Sequence, residues 1–164
     1  MAAFGLVRVD NRLAHGMVAS NWKNTINPKK VIILDDETYG DKPIQKVMAI
    51  GLLPTPLVTY TVKGGVDKYK ENKFGGGKIF LLFKEVEFAY EAWKLGVEIP
   101  HLDIGQVHSK DGRRPINGTV NLSEAEISML REMQNGGVRV YIKQGVSDPE
   151  IELDEIEKIF EKNK

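Results

Sequence analysis

Residues 78–83, Lys-Ile-Phe-Leu-Leu-Phe, form an apolar run of strand length that follows the glycine triplet 75–77. A run without polar alternation is typical of a strand that is buried on both faces, as in parallel sheets covered by helices. Residues 30–34 have the same character and end in the acidic group 35–37. The two runs therefore predict central strands of an α/β sheet, and the glycine triplet predicts a turn.

Strand-like and helix-like segments alternate along the rest of the chain. Further strands are predicted at 4–9, 57–62, 101–104, 119–122 and 138–142. Helices are predicted at 16–25, after Asp41 with an apolar face of Ile44, Val47, Met48 and Gly51, at 64–72, from Val86 to Gly96, and after a capping box at Ser123 and Glu126.

A terminal helix is predicted to start with Asp148 as its cap and Pro149 at its first position, with Leu153, Ile156 and Phe160 facing inward. The whole order predicts one α/β domain over residues 1–164. We expect an open, mainly parallel sheet of about seven strands with helices on both faces.

The composition argues against several classes of protein. The 164 residues include 23 Lys plus Arg and 23 Asp plus Glu, so no net charge attracts nucleic acid or anionic lipid. Cysteine is absent, which excludes disulfides, thiolate metal sites and thiol nucleophiles. The apolar runs are far shorter than the ~20 residues of a membrane span, and the N-terminus lacks the pattern of a signal peptide. A cytoplasmic location is expected.

The loop after the first strand contains a dense group of charged and nucleophilic side chains. Residues 8–18 read Arg-Val-Asp-Asn-Arg-Leu-Ala-His-Gly-Met-Val, and ligands of open α/β sheets bind beyond such strand ends. An imidazole is a nucleophile near neutral pH, and guanidinium forks with free N–H groups at a helix start suit phosphate. This pattern indicates His15 as a phosphoryl acceptor. Helix capping and ion pairing in a solvated loop remain the alternative.

The supporting residues of this loop have separate predicted roles. Arg12 and Arg8 are candidates for holding or orienting a phosphoryl group, because two guanidiniums lie close to the imidazole in sequence. Asp10 is the candidate that orients Arg12 or the ring. Gly16 allows a close approach to the helix start.

Residues 7–18, VRVDNRLAHGMV, resemble the motif Val-Arg-Ile-Asp-(Asp/Ser)-Arg-Leu-Ile-His-Gly-Gln-Val of enzyme IIB subunits of the mannose/sorbose-type sugar phosphotransferase system (PTS). The resemblance continues through VIILDD, KIFLLFK, LDIGQVH and NGGVRVYIKQGV and covers essentially the whole chain. It implies a cytoplasmic phosphocarrier with a seven-stranded, mainly parallel sheet. By this likeness His15 accepts a phosphoryl group from a IIA protein and passes it to a sugar that enters through the membrane subunits IIC and IID.

The same resemblance assigns the active loop. It places Asp10, Arg12 and Gly16 there, matches Arg8 as well, and implies neither a metal nor another cofactor. It also implies peripheral association with the membrane permease. The oligomeric state, a homo-oligomer included, and the identity of the sugar are left open.

Three residues depart from the family pattern: Asn11, Ala14 and Met17 stand where Asp or Ser, Ile, and Gln are common. None of the three removes an expected phosphate ligand. The loss of apolar surface at Ala14 and of an amide at Met17 predicts a changed partner-facing surface or loop order.

Other polar groups are weaker candidates. His101, Asp103 and His108 lack the spacing of a metal site, and His108 is interpreted as a loop residue near the active loop. The carboxylates at 35–37, Asp35 and Asp36 included, either cap a helix or tune His15 from a neighbouring strand end. Lys110, Arg113 and Arg114 either meet an acidic partner or keep a long loop solvated.

An alternative function is a regulatory module of the same fold that docks partners without transferring phosphate. Such a module is expected to lose the nucleophile or its arginine. The presence of both His15 and Arg12 therefore favours the phosphocarrier.

Overall fold

A seven-stranded sheet lies at the centre of the computed structural model, which describes residues 2–163. In spatial order its strands are Leu57–Tyr60 (β3), Lys30–Leu34 (β2), Gly77–Phe83 (β4), Ala2–Asp10 (β1), His101–Gln106 (β5), Arg139–Ile142 (β8) and Ile151–Glu152 (β9). All neighbours run parallel except β9, which is antiparallel to β8. A separate antiparallel ribbon consists of Arg113–Pro115 (β6) and Asn121–Ser123 (β7).

Helices cover both faces of this sheet, as predicted. They are Gly16–Ile26 (α1), Asp36–Tyr39 (α2), Lys42–Leu52 (α3), Val62–Asn72 (α4), Val86–Lys94 (α5), Glu124–Asn135 (α6) and Leu153–Lys162 (α7). α1 and α3 pack on one face, where Trp22 and Met48 meet Val31 and Ile33. α4 to α7 pack on the other, which also receives Ile32 and Leu34. Successive residues of β2 thus enter opposite cores.

The central strands predicted from their apolar runs are confirmed. Residues 31–34 and 79–83 are at most 1% exposed, as expected for strands that contribute to two cores. Burial of each such side chain stabilises the fold by about 1.5–3 kcal/mol. Two of the predicted caps are present as well, since Asp41 accepts a hydrogen bond from the Ile44 N–H and Ser123 forms a capping box with Glu126.

The predicted start of the last helix is wrong. The Asp148 carboxylate accepts a hydrogen bond from the Gly145 N–H at 2.8 Å and stabilises a turn instead of capping a helix. The chain then forms β9 against the edge of β8, and α7 begins at Leu153. The inward-facing residues of this helix are confirmed, because Leu153, Ile156 and Phe160 are buried.

One member of the predicted sheet is also wrong, although its count of seven is right. The strand predicted at 119–122 is observed as β7 in the ribbon, because the preceding segment folds back to pair with it as β6. The edge position of the main sheet is taken by β9. The single domain predicted over 1–164 has its two end residues outside the described part of the chain.

Candidate active site

The loop between β1 and α1 brings His15 to the carboxyl edge of the sheet. Two turns shape it: the Leu13 N–H donates to the Asp10 carbonyl at 2.9 Å, and the His15 N–H donates to the Arg12 carbonyl at 3.0 Å. Leu13, in the left-handed region with a φ of 53°, and Ala14 are both buried. These two apolar side chains anchor the loop, while His15 itself is exposed.

His15 occupies the N-cap position of α1, where its side chain makes no capping hydrogen bond. The helix starts at Gly16 with a φ of 74°, a conformation that glycine adopts without the strain of a side chain. The structure describes every residue in the first turn of α1, and none of them is acidic. Its first N–H groups and the helix dipole are therefore oriented to favour an anion next to the imidazole.

Behind this loop, four charged side chains alternate in sign. Arg8 bonds to Asp103 at 2.5 Å and to Asp10 at 3.1 Å. The Asp10 carboxylate in turn accepts from Nε and Nη2 of Arg12, at 3.0 and 2.8 Å. Arg8, Asp10 and Asp103 are at most 2% exposed, whereas the Arg12 side chain is 28% exposed. The series thus runs from the interior to the surface of the active loop.

The two arginines consequently occupy different environments. Arg8 also donates to the carbonyls of Lys143 and Gln144, each at 2.7 Å, and Gly105 packs directly against its guanidinium. It is enclosed, and its contact with the loop is through Asp10. Arg12 keeps Nη1 unbonded within the described part of the chain.

Hydrogen bonding and burial shift two pKa values in this group. The hydrogen bonds that Arg12 donates to the Asp10 carboxylate raise the pKa of Arg12, which therefore stays protonated. Burial raises the pKa of Asp103 to about 6, and its contact with Arg8 opposes that shift.

Two clefts flank His15. The larger, about 360 Å³, lies between α1 and α3 and includes Met17, Asn21 and Val47. The smaller, about 140 Å³, is lined by Asn11, Arg12, Glu37, Thr38, Asp41 and Lys84 among others. The imidazole therefore has an apolar and amide-lined surface on one side and a charged surface on the other.

Asn11 ties the active loop to two other strand ends. Its side-chain amide donates to the Lys84 carbonyl at 2.6 Å, and its side-chain oxygen accepts from the His108 N–H. Its backbone N–H donates to the Gln106 carbonyl at 2.9 Å. The sequence prediction missed Asn11 and Lys84 as parts of the site. The available signal was that the carboxyl ends of parallel strands meet at one edge.

The acidic group at 35–37 divides between structural and site positions. Asp35 accepts from the N–H and hydroxyl of Thr38 at 3.0 and 2.6 Å and caps α2. Asp36 accepts from the Val62 N–H at 2.8 Å. Only Glu37 of the three lines the smaller cleft with His15.

The remaining candidates lie elsewhere. His101 accepts a hydrogen bond from the Val7 N–H at 3.2 Å through Nε2, and residues 2–163 contain no cluster of three or more side chains suited to a metal. Arg113 bonds to Glu85 and Glu126, at 2.9 and 2.8 Å, and so fixes the ribbon to the helices. Arg114 lies over the ring of Phe160. Over the described range, no helix is long and apolar enough to cross a membrane.

Comparisons with known proteins give a consistent result. A family model described as "PTS system sorbose subfamily IIB component" matches residues 4–164. The sorbose-specific EIIB component of Lacticaseibacillus casei is 28% identical over 159 residues, which cover 96% of this chain and 97% of that protein. The crystal structure of manxB from Thermoanaerobacter tengcongensis is 26% identical with a TM-score of 0.89, and the match covers 96% of each chain.

A third relative is longer than this chain. The mannose-specific EIIAB component of Escherichia coli K12 is 26% identical over 151 residues. The match covers 91% of this chain and 46% of that protein, so the chain spans about half the length of this relative.

Proposed function

The chain belongs to the sorbose subfamily of IIB components of the sugar phosphotransferase system, and from this premise we propose that it is a phosphocarrier that uses His15 as its nucleophile. It accepts a phosphoryl group from a phosphorylated IIA protein and transfers it to a sugar entering through IIC and IID subunits. One observation carries the proposal: an exposed imidazole stands at the N-terminus of α1, beside an arginine that a buried carboxylate holds in place.

Each transfer is a displacement at phosphorus. A ring nitrogen of His15 donates its lone pair to the phosphorus, and the phosphorus–nitrogen bond of the donor phosphohistidine breaks, leaving its electron pair on the donor ring. In the second transfer a sugar hydroxyl oxygen attacks the phosphorus, the bond to His15 breaks, and the electron pair returns to the His15 ring. The hydroxyl proton passes to solvent or to the released imidazole. Positioning and charge stabilisation supply most of the catalysis in such steps.

The loop residues divide this work. Arg12 offers its free Nη1 edge to a phosphoryl oxygen, while Asp10 holds the opposite edge of the same guanidinium. Arg8 acts indirectly, because it is buried and positions Asp10. Gly16 and the N–H groups that follow it add donors at the helix start.

IIB components of this family work with IIA and with the membrane components IIC and IID. For this chain we propose the same partners, and a cytoplasmic location at the membrane permease through contacts with those subunits. The relatives described above are named for mannose and for sorbose. The proposal accordingly names a sugar hydroxyl as the final acceptor.

Labelling with a phosphorylated IIA partner tests the proposal. We expect one acid-labile, base-stable phosphoryl group, mapped by mass spectrometry to His15, and no label in a His15→Ala protein. His108→Ala is the matched control, since this exposed histidine contacts the loop through its backbone N–H and its loss leaves labelling intact. Stable label on His101 or His108 of the His15→Ala protein would contradict the assignment. A docking module without transfer would bind IIA and remain unlabelled.

A further inference from the structure

The smaller cleft contains a cation outside the active loop, Lys84. It follows the last residue of β4, and β4 lies beside β1 with Phe83 opposite Val9. The chain therefore leaves both strands at the same edge, and Lys84 lines one cleft together with Arg12 and His15. This location raises the question of what Lys84 does in the reaction.

The position of Lys84 relative to the active loop is fixed. The Asn11 side chain donates to its carbonyl at 2.6 Å, and Asn11 is four residues before His15. The backbone of Lys84 is thus attached to the loop that carries the nucleophile. The flexible four-carbon stem of Lys84 therefore starts from a fixed point in the cleft that also contains His15.

A phosphoryl group on His15 would add negative charge to a site whose bonded side chains already balance one another. Asp103, Arg8, Asp10 and Arg12 are bonded in series and sum to zero. A phosphoryl group adds about 1.5–2 negative charges near neutral pH, judged from other phosphorylated side chains. The series therefore has no net positive charge with which to offset this added negative charge.

Lys84 is free to take this role. Its ammonium lies 3.5 Å from Glu37, whose side chain is 84% exposed, so the contact is long and solvated. Asp41, the other carboxylate of the cleft, accepts the Ile44 N–H at 3.1 Å at the start of α3. The cleft thus holds two cations, Arg12 and Lys84, and two carboxylates, of which Glu37 competes directly for Lys84.

We propose that Lys84 is a phosphoryl-binding residue, whose ammonium exchanges Glu37 for an oxygen of the phosphoryl group on His15. The inference rests on the proposed function, because it requires a phosphoryl group at His15. Lys84 forms no covalent bond; its ammonium donates an N–H to the phosphoryl oxygen and offsets negative charge. The bond to phosphorus forms and breaks at the His15 nitrogen, as described above.

Phosphorus NMR of the phosphorylated full chain tests this inference. Potassium phosphoramidate phosphorylates histidine without a protein donor, and the His15 resonance is identified by its loss in His15→Ala. A neighbouring cation favours the doubly ionised phosphoryl group. We expect Lys84→Met to raise the apparent pKa of this group by about 0.5 or more, and Lys84→Arg to restore it. Glu37→Gln, which frees Lys84, is expected to lower the same pKa.

Lys63→Met is the matched control, because this exposed lysine lies on α4, on the opposite face of the sheet. It is expected to leave the phosphoryl pKa unchanged. With phospho-IIA as donor, Lys84→Met is expected to lower kcat for labelling while KM for the donor stays close to that of the original chain. An identical phosphoryl pKa in Lys84→Met and the original chain, with His15 labelled normally, overturns the role of Lys84. Failure of phospho-IIA to label His15 in the original chain overturns the proposed function instead.

Discussion

The imidazole of His101 replaces a backbone acceptor between two central strands. β1 pairs with β5 from Arg8 opposite Asp103 onward, and just before this point the Val7 N–H donates to Nε2 of His101. A ring nitrogen accepts a hydrogen bond only when it is unprotonated. Burial, and then the nearby charge of Arg139, lowers the pKa of His101. This residue therefore couples the stability of the sheet to pH.

The sign of this coupling is definite. The folded pKa lies below the unfolded value of 6.5, so the unfolded chain binds more protons. The stabilisation is fully present above 6.5 and is lost as the pH falls towards the folded pKa. Between pH values of about 7.5 and 5.5 we expect a loss of about 1 kcal/mol, the net value of one hydrogen bond. Urea denaturation at both pH values measures it.

His101→Gln is the control, because the Gln oxygen accepts a hydrogen bond and does not titrate. Asp103, whose raised pKa stabilises the fold towards low pH, is present in both proteins and cancels from the difference. An equal pH dependence in the two proteins would show that His101 is not the coupling group.

At the scale of single residues, the sequence predicted the charged loop after β1 but not the enclosure of Arg8. His15, Arg12 and Asp10 lie within one short stretch, so local spacing was sufficient to bring them together in the prediction. Apart from Asp10, the hydrogen-bond partners of Arg8 are 95 to 136 residues away in the chain. No local pattern encodes such contacts, and a charged residue at a strand end gives the same signal whether it is buried or exposed.

At the scale of elements, α1 and α3 present an apolar surface beside His15. Its exposed members include Met17 and Val47, with exposures of 77% and 58%. Met17 and Val47 also line the larger cleft that includes His15. Exposed apolar side chains grouped beside a reactive residue are typical of a protein contact surface. We expect the IIA partner to use this surface.

Met17→Gln tests this expectation, since it introduces the residue that is common in the family. Loss of an apolar contact is expected to weaken IIA binding about three- to tenfold, in titration calorimetry with cognate IIA. The melting temperature is expected to change by no more than about 2 °C, because an exposed side chain contributes little to folding. Leu95→Gln is the matched control, because Leu95 is 43% exposed at the end of α5, on the opposite face. An unchanged affinity with a lowered melting temperature would place Met17 in the core.

The sequence predicts the apolar face of α3 only in part. The spacing of Ile44, Val47 and Met48 indicates a helix, and the helix is confirmed. Met48 and Leu52 are buried, whereas Val47 is exposed, so the buried stripe is narrower than the apolar pattern. Periodicity predicts which residues share a face, but the neighbours of the helix determine how much of that face is covered.

The start of α7 illustrates a competition that local signals do not resolve. Asp148 followed by Pro149 is a favourable sequence for a helix start and equally for a turn. The edge of β8 offers unpaired backbone groups, and pairing with β9 satisfies some of them. Because of these tertiary contacts, α7 begins only at Leu153.

At the scale of the whole molecule, the sheet edge that carries His15 lies where the connections from two neighbouring strands leave towards opposite faces of the sheet. β1 is flanked by β4 and β5; α1 leaves β1 towards one face of the sheet, and α5 leaves β4 towards the other. Divergent connections open a crevice beyond the strand ends, which is the usual ligand site of open α/β sheets. Alternating segments predicted the fold class, but this strand order depends on long-range pairing and required the structure.

The balanced charge of the chain predicts how the isolated chain interacts with a membrane surface. Adsorption to anionic lipid depends on an excess of Lys and Arg, and contributions beyond about 8 Å are screened at physiological salt. Here 23 basic residues are balanced by 23 acidic residues. The proposed location at the permease would then depend on protein contacts with IIC and IID.

Co-sedimentation with lipid vesicles measures whether the chain binds to the lipid itself or to IIC and IID. In about 0.15 M salt, the chain is expected to pellet with protein-free anionic vesicles no more than it does without vesicles. Vesicles that contain IIC and IID are expected to retain it, because the surface around His15 must then contact those subunits during transfer to the sugar. Retention by protein-free anionic vesicles would contradict the argument and indicate a local lipid-binding surface. If neither kind of vesicle retains the chain, the contact would instead require the phosphorylated state. Phosphoramidate-treated protein tests this outcome.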